Sequence, residues 1–182
     1  MTARDWKAQL NGALAANRLT DAIDLLTSAI HQSPDNASLH YNLGAVQARA
    51  GHRDKSVASL KKAIAISPSM ADAHAALGNR YLESGQSAPA GESYRAAIAA
   101  DPNCVDALTG LGKVCFDFGL RAEADAYFRA AATVAPDDVR VWLNYGTCLL
   151  NAGLLEQARD ELAAAFAKWP LHRKILRSMS QA

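Results

Sequence analysis

The sequence predicts an all-α protein, a superhelix of antiparallel helix pairs stacked in a row. Three features of its 182 residues indicate this fold: prolines recur at a constant interval, glycines form two columns with the same interval, and alanines and large apolar residues fill further columns at helical spacing. Strict internal repetition of this kind is typical of solenoids, in which each unit packs on its neighbours in the chain.

The prolines define the length of the repeated unit. A proline cannot continue a helix, because it lacks the N–H group and its ring clashes with the preceding turn. Five of the six prolines are spaced 34 residues apart, at positions expected to end each unit: Pro34, Pro68, Pro102, Pro136 and Pro170. The sixth, Pro89, is expected in the first turn of a helix, where its missing N–H group is not needed.

Two glycine columns follow the same interval. The first column is expected where the two helices of a unit cross, because a residue without a side chain lets their backbones approach closely. The second column, seven residues later, is expected at the left-handed residue that commonly follows the end of a helix. The first contains Gly44, Gly78, Gly112 and Gly146, and the second contains Gly51, Gly85, Gly119 and Gly153.

Apolar and alanine columns predict two amphipathic helices in each unit. In the first half, Leu43, Leu77, Leu111 and Tyr145 precede the first glycine column, and His40, His74, Leu108 and Trp142 lie one turn earlier. The second half has three columns: Ala22, Ser56, Ala90, Ala124 and Ala158; Leu26, Leu60, Tyr94, Phe128 and Leu162; and Ala29, Ala63, Ala97, Ala131 and Ala165.

These columns resemble the tetratricopeptide repeat, whose pattern over 34 residues is W-x2-L-G-x2-Y, then A-x3-F, then P. The third unit matches it most fully, with Leu77, Gly78, Tyr81, Ala90, Tyr94, Ala97 and Pro102. The first unit departs from it, because Leu10 occupies the first glycine column and Asn17 the second.

The resemblance implies five repeats within residues 1–172. Their expected bounds are 3–36, 37–70, 71–104, 105–138 and 139–172. Residues 173–182 bring Ile175, Leu176 and Met179 into the apolar columns of a further first helix. This segment is either a C-terminal capping helix or the start of a truncated sixth repeat.

Composition argues against several classes of partner and location. The formal net charge of +1 provides no overall field that would attract nucleic acid or an anionic membrane. No apolar run approaches the ~20 residues of a membrane span, and the N-terminus lacks the pattern of a secretory signal. We therefore expect a cytoplasmic protein without nucleic-acid or membrane partners, either a monomer or a weak homo-oligomer.

The sequence predicts no enzyme, and no catalytic, cofactor-binding or metal-binding residues. It has no GxSxG elbow, no phosphate-binding glycine loop and no HExxH motif. Its three cysteines, Cys104, Cys115 and Cys148, lack the spacing of a zinc site or a disulfide framework. His40 and His74 recur one repeat apart, but they occupy the column usually held by tryptophan, so packing explains them better than metal binding.

By resemblance to the family, the first helix of each repeat lines the concave surface of the superhelix. At about 100° per residue, the positions opposite the core stripe can be read from the sequence, and they include Ala75 and Thr109. The predicted peptide-binding residues on this surface are Lys7, Asn11, Tyr41, Asn42, Arg49, Asn79, Leu82, Lys113, Phe116, Arg140 and Asn144.

Two modes of ligand recognition are compatible with these residues. Asparagines donate and accept hydrogen bonds, so they suit the backbone of an extended peptide, and the arrangement is similar to the asparagine-lined arrays of O-linked N-acetylglucosamine transferases. Lys7, Asn11 and Asn42 also match the carboxylate clamp of chaperone-binding tetratricopeptide domains. However, Asp72 and Ala76 stand where that clamp has lysine and arginine, so a negative charge would face its ligand.

We therefore predict a scaffold or adaptor that binds a protein or peptide segment in the concave groove. One alternative is the substrate-recognition array of a larger enzyme, for example a glycosyltransferase-like protein, which predicts that the chain continues beyond Ala182. A second alternative is a self-assembling scaffold, which predicts a molecular mass that rises with protein concentration.

Overall fold

The all-α prediction is confirmed by the structure, a computed structural model that describes the backbone of residues 5–168 and the side chains of residues 6–163. This part of the chain contains ten helices and no strand. The helices are α1 (Asp5–Ala15), α2 (Leu19–Gln32), α3 (Ala37–Arg49), α4 (Arg53–Ile66), α5 (Ala71–Glu83), α6 (Ser87–Ala100), α7 (Val105–Asp117), α8 (Arg121–Val134), α9 (Val139–Asn151) and α10 (Leu155–Lys168).

The helices reproduce the 34-residue period. The odd-numbered helices from α3 onward, called first helices here together with α1, begin 34 residues apart. The even-numbered helices, called second helices, do the same from α2 onward. Pro89 lies in the first turn of α6, as predicted. The predicted cap or sixth repeat at 173–182 lies outside the described residues.

Two compact units make up the chain, an N-terminal unit of Met1–Ala107 and a C-terminal unit of Leu108–Ala182. In the N-terminal unit each helix from α1 to α6 packs on the next, and α3 also contacts α5. In the C-terminal unit α9 packs on both α8 and α10. Leu10, the residue in the glycine column of the first repeat, is buried in a cluster with Trp6 and Leu26.

Each first-column glycine lies against a large side chain sixteen residues later on the second helix of the same pair. A Cβ atom on Gly78 would lie 2.6 Å from Cε1 of Tyr94, and one on Gly112 would lie 3.1 Å from the ring of Phe128. Gly44 meets Leu60 and Gly146 meets Leu162 in the same way. These contacts leave no room for a methyl group, so the glycine sets how closely the two helices pack.

The turn inside each helix pair has one geometry throughout the described chain. Gly51, Gly85, Gly119 and Gly153 all have φ between 72° and 80°, and Asn17 has φ 53°. In each turn the next N–H group donates to a carbonyl five residues back, for example Arg18 N to Ala13 O at 2.8 Å and His52 N to Gln47 O at 2.8 Å. This pattern is the Schellman motif, and Asn17 preserves it because asparagine tolerates the left-handed region better than most residues.

Proline occupies the second position of the tight turn between pairs. In the turn Ser33–Asn36 the N–H of Asn36 donates to the carbonyl of Ser33 at 3.3 Å, and the equivalent bond from Met70 to Ser67 is 3.1 Å. Proline suits this position because its fixed φ matches the turn. The histidines complete two of these turns: Nε2 of His40 bonds to the carbonyl of Pro34 at 2.8 Å, and Nε2 of His74 bonds to the carbonyl of Pro68 at 2.9 Å.

We predict that Gly78→Ala lowers the free energy of unfolding by about 1–2 kcal/mol, because overpacking against the buried ring of Tyr94 outweighs the gain in helix propensity. Gly12→Ala is the matched control, since Gly12 is exposed in α1 and has open space around its Cα. That variant should gain up to about 1 kcal/mol. Urea unfolding of both variants makes the comparison, and equal effects would contradict the close-packing role of Gly78.

A second pair of substitutions tests the turn. Asn17→Gly should raise the unfolding free energy by about 0.5 kcal/mol, since glycine adopts the left-handed conformation without strain. Gly85→Ala should lower it by about 1 kcal/mol, because nothing lies within 4 Å of the added methyl group and only the backbone conformation, φ 73°, is penalised. Opposite shifts in a thermal melt are expected, and shifts of the same sign would rule out backbone strain as the cause.

Candidate functional site

The predicted ligand-binding residues all lie on first helices, on α1, α3 and α5 of the N-terminal unit and on α7 and α9 of the C-terminal unit. We call the side of α1, α3 and α5 that carries them the first-helix face. The exposed members of the whole set are Lys7, Asn11, Arg49 and Arg140, and the half-buried members are Tyr41, Asn42, Asn79, Leu82, Lys113, Phe116 and Asn144.

Tyr41 on the first-helix face is influenced by two negative charges. Its side chain on α3 is half-buried, and burial raises the pKa of its hydroxyl, with further contributions from the negative charges of Asp72 and Asp106. The pKa of the buried Cys104 thiol is also raised, chiefly by burial, and the same two aspartates contribute. The charges of Asp72, in the first turn of α5, and of Asp106, in the first turn of α7, thus act on both groups, and all four residues belong to the N-terminal unit.

The two half-buried asparagines of the predicted set in the N-terminal unit already form hydrogen bonds within the protein. Asn42 donates from Nδ2 to the carbonyl of Ser38, one turn earlier on the same helix, at 2.7 Å. Asn79 accepts at Oδ1 from the hydroxyl of the buried Tyr94, at 2.7 Å. Burial and the charge of Glu83 raise the pKa of Tyr94, so this hydroxyl stays a donor. Asn79 thus contributes to the packing of α5 on α6.

One of the predicted residues in the C-terminal unit, Arg140, also has a partner within the protein. The guanidinium of Arg140 bonds to Asp138, with Nη2 to Oδ2 at 2.7 Å, and these hydrogen bonds contribute most to the lowered pKa of Asp138. Burial raises the pKa of Cys148 to about 11, although the positive charge of Lys113 acts in the opposite direction. Phe116 lines a pocket of about 460 Å³ formed mainly by α8, α9 and α10.

Two positions predicted to be exposed are buried. Ala75 is 2% exposed and Thr109 is 7% exposed. The prediction treated each first helix as packed on one side only. In the N-terminal unit α5 packs on α6 but also contacts α3, so residues between two neighbouring first helices are covered as well. The surface available on α5 is therefore narrower than the helical period alone indicates.

The described side chains offer no cluster of metal ligands. Among residues 6–163, no group of three or more His, Cys, Asp or Glu side chains could hold a metal ion. The two repeated histidines bond to proline carbonyls, which accept only, so Nε2 carries the proton in both. Within residues 5–168, no helix has both the length and the apolar character that crossing a membrane requires.

The chain matches four protein-family models. One is described as TPR repeat and matches residues 13–51. Three are described as tetratricopeptide repeat and match residues 37–70, 75–131 and 116–172. No curated protein matches the chain at a significant level.

Solved structures with the same fold cover almost the whole chain. A thermophilic TPR protein of Thermus thermophilus, TTC0263, superposes with a TM-score of 0.81 at 18% identity, covering 99% of this chain and 98% of its own. MamA gives a TM-score of 0.73 at 21% identity, covering 91% and 96%. YrrB, described as a TPR protein with an unusual peptide-binding site, gives 0.67 at 20% identity, covering 96% and 90%.

Identities this low establish the fold alone. The family matches, however, agree with the 34-residue period of the helices, the glycine contacts inside each pair and the proline turns between pairs. The chain belongs to the tetratricopeptide-repeat family.

Proposed function

We propose that the chain is a protein-interaction scaffold that binds an extended segment of a partner protein along its first-helix face. The observation that carries this proposal is the half-buried side chain of Tyr41, whose hydroxyl has its pKa raised by burial and further by the charges of the exposed carboxylates of Asp72 and Asp106. Tyrosine is enriched at protein interfaces because its ring supplies apolar area and its hydroxyl supplies a hydrogen bond. The description of YrrB as having a peptide-binding site supports a similar use of this fold here.

The charge of this region favours a basic residue in the ligand. Among the described residues, neither Asp72 nor Asp106 forms an ion pair, so both carboxylates are available to a lysine or arginine from outside. Tyr41 adds an aromatic ring to the same surface, and aromatic rings attract cations. The same carboxylates would repel the acidic tail that a carboxylate clamp binds, so we favour the basic ligand.

The proposed role is that of a non-enzymatic adaptor. Other residues of the first-helix face would contribute to binding, the exposed Asn11 and Arg49 through hydrogen bonds and the half-buried Leu82 through apolar contact. A cytoplasmic location, the absence of nucleic-acid partners and a monomeric or weakly oligomeric state remain predictions.

Selection from a random peptide library displayed on phage should yield peptides that contain lysine or arginine. The affinity of a selected peptide should fall at least about ten-fold in Asp72→Asn/Asp106→Asn, because hydrogen bonds to charged groups are each worth about 1.5–3 kcal/mol. Isothermal titration calorimetry measures this change. Tyr41→Leu should also weaken binding, since it keeps an apolar side chain but removes the ring.

The matched control is Asp24→Asn, which removes an exposed carboxylate from the second helix α2 and should leave the affinity unchanged. Thermal melts check that every variant stays folded. A small drop of the midpoint is expected in Asp72→Asn/Asp106→Asn, because both carboxylates lie in the first turn of a helix, where a negative charge is stabilising. Selected peptides without basic residues, or equal losses in Asp24→Asn and Asp72→Asn/Asp106→Asn, would refute this mode of binding.

A further inference from the structure

A second polar pocket lies in the N-terminal unit, between the second helix α4 and the C-terminal part of α5. Its volume is about 370 Å³, and its lining includes Arg53 and Lys61 from α4 and Arg80 and Tyr81 from α5. None of these four belongs to the predicted peptide-binding set. We call it the second-helix pocket.

Positive charge dominates the second-helix pocket. Its lining contains three cations and only one carboxylate, that of Asp54. Arg80 is paired with Glu83 at 2.5 Å. Within the described residues, by contrast, neither Arg53 nor Lys61 forms an ion pair or a side-chain hydrogen bond. The ammonium group of Lys61 lies 5.8 Å from the centre of the Tyr81 ring.

The C-terminal unit contains the equivalent pocket two repeats later in the sequence, the 460 Å³ pocket that Phe116 lines. The counterpart of Lys61 there is Arg129, and this cation is neutralised by the protein itself. Its guanidinium bonds to Asp125, with Nε to Oδ2 at 2.9 Å, and to Glu161, with Nη2 to Oε1 at 2.7 Å. Tyr145 also donates to Asp125 at 2.6 Å.

These bonds determine the charge state of the C-terminal pocket. Burial alone would raise the pKa of Asp125, but the hydrogen bonds from Arg129 and Tyr145 outweigh it, so the pKa is lowered. The carboxylate therefore stays ionised and the pair persists at neutral pH.

Both carboxylates are missing from the N-terminal pocket. The residue equivalent to Asp125 is Val57, and the residue equivalent to Glu161 is Ser93. Ser93 is buried and its hydroxyl donates to the carbonyl of Pro89 at 2.9 Å, so it does not replace an anion. The N-terminal pocket thus keeps the cation of this arrangement but lacks the two groups that neutralise it.

We propose that the second-helix pocket binds a glutamate or aspartate side chain of an acidic peptide segment, with Lys61 and Arg53 as its cationic partners. The bound carboxylate would take the place that Asp125 and Glu161 fill in the C-terminal unit. The apolar lining from Val57, Ala58 and the Tyr81 ring suits the carbon chain of a peptide side chain. Asp54 would oppose a doubly charged phosphate more strongly than a single carboxylate.

This pocket is lined by none of the residues of the first-helix face, so the inference does not depend on the proposed function. The second-helix pocket would bind an acidic segment, whereas the first-helix face favours a basic one.

The probe is hexaglutamate with both ends blocked, and hexaglutamine is the neutral comparison. Titration into the ¹⁵N-labelled full chain, followed by ¹H–¹⁵N correlation spectra, should shift the amide signals of α4 and of the end of α5 with hexaglutamate only. The affinity should decrease as sodium chloride is added, because the contact is between charges at the surface.

Three variants locate the site. Lys61→Met should lower the affinity for hexaglutamate about ten-fold, whereas Lys62→Met, which removes an exposed lysine outside the pocket on the same helix, should change it less than two-fold. Val57→Asp should weaken binding at least as much as Lys61→Met, because it supplies the carboxylate that the C-terminal unit has at this position. Thermal melts check that each variant folds, and the comparison of Lys61→Met with Lys62→Met decides the question if Val57→Asp does not fold.

Three results would overturn the inference. Equal losses in Lys61→Met and Lys62→Met would mean diffuse attraction between charges rather than a site. Equal binding of hexaglutamine would remove the role of the carboxylate. Tighter binding of inorganic phosphate than of hexaglutamate, at the same amides, would assign the pocket to phosphate instead of an acidic peptide.

Discussion

The rest of the structure depends on the close packing of the two helices in each pair. A glycine on the first helix leaves the space, and a large side chain on the second helix occupies it. At each of the four glycines the space is occupied by a single side chain, that of the residue sixteen positions later in the sequence. The glycines are Gly44, Gly78, Gly112 and Gly146. Because this contact fixes the helices within each pair, the same residue columns face the same surroundings in successive repeats.

Fixed positions of this kind let individual repeats differ in surface chemistry without a change of fold. Position 61 and its equivalent two repeats later, Arg129, carry a cation in both units, but among the described residues only Arg129 forms ion pairs, with Asp125 and Glu161. The first-helix column that contains Ser38 has Asp72 and Asp106 in the next two repeats. The scaffold is therefore constant, while charge and apolar character vary from repeat to repeat and define where ligands of different chemistry would bind.

The sequence predicted much of the fold and less of the candidate site. Period and residue size were enough to predict the helix pairs, the glycine contacts and the proline turns, because these depend on local geometry repeated many times. The bond between Asn79 and Tyr94, the burial of Ala75 and the empty carboxylate positions around Lys61 were not predicted. Each of these features depends on contacts between side chains of different helices. The column pattern gives the position of each residue on its own helix but not its partners on the neighbouring helices.

A double-mutant cycle on Gly78 and Tyr94 tests the central contact most directly. Equilibrium unfolding of the parent chain, Gly78→Ala, Tyr94→Ala and the double variant gives the energy that couples the two sites. If the ring is what excludes a methyl group, the added methyl should become neutral or stabilising once the ring is removed, with a coupling energy of about 2 kcal/mol. A cost for Gly78→Ala that is the same with and without the ring would contradict this account.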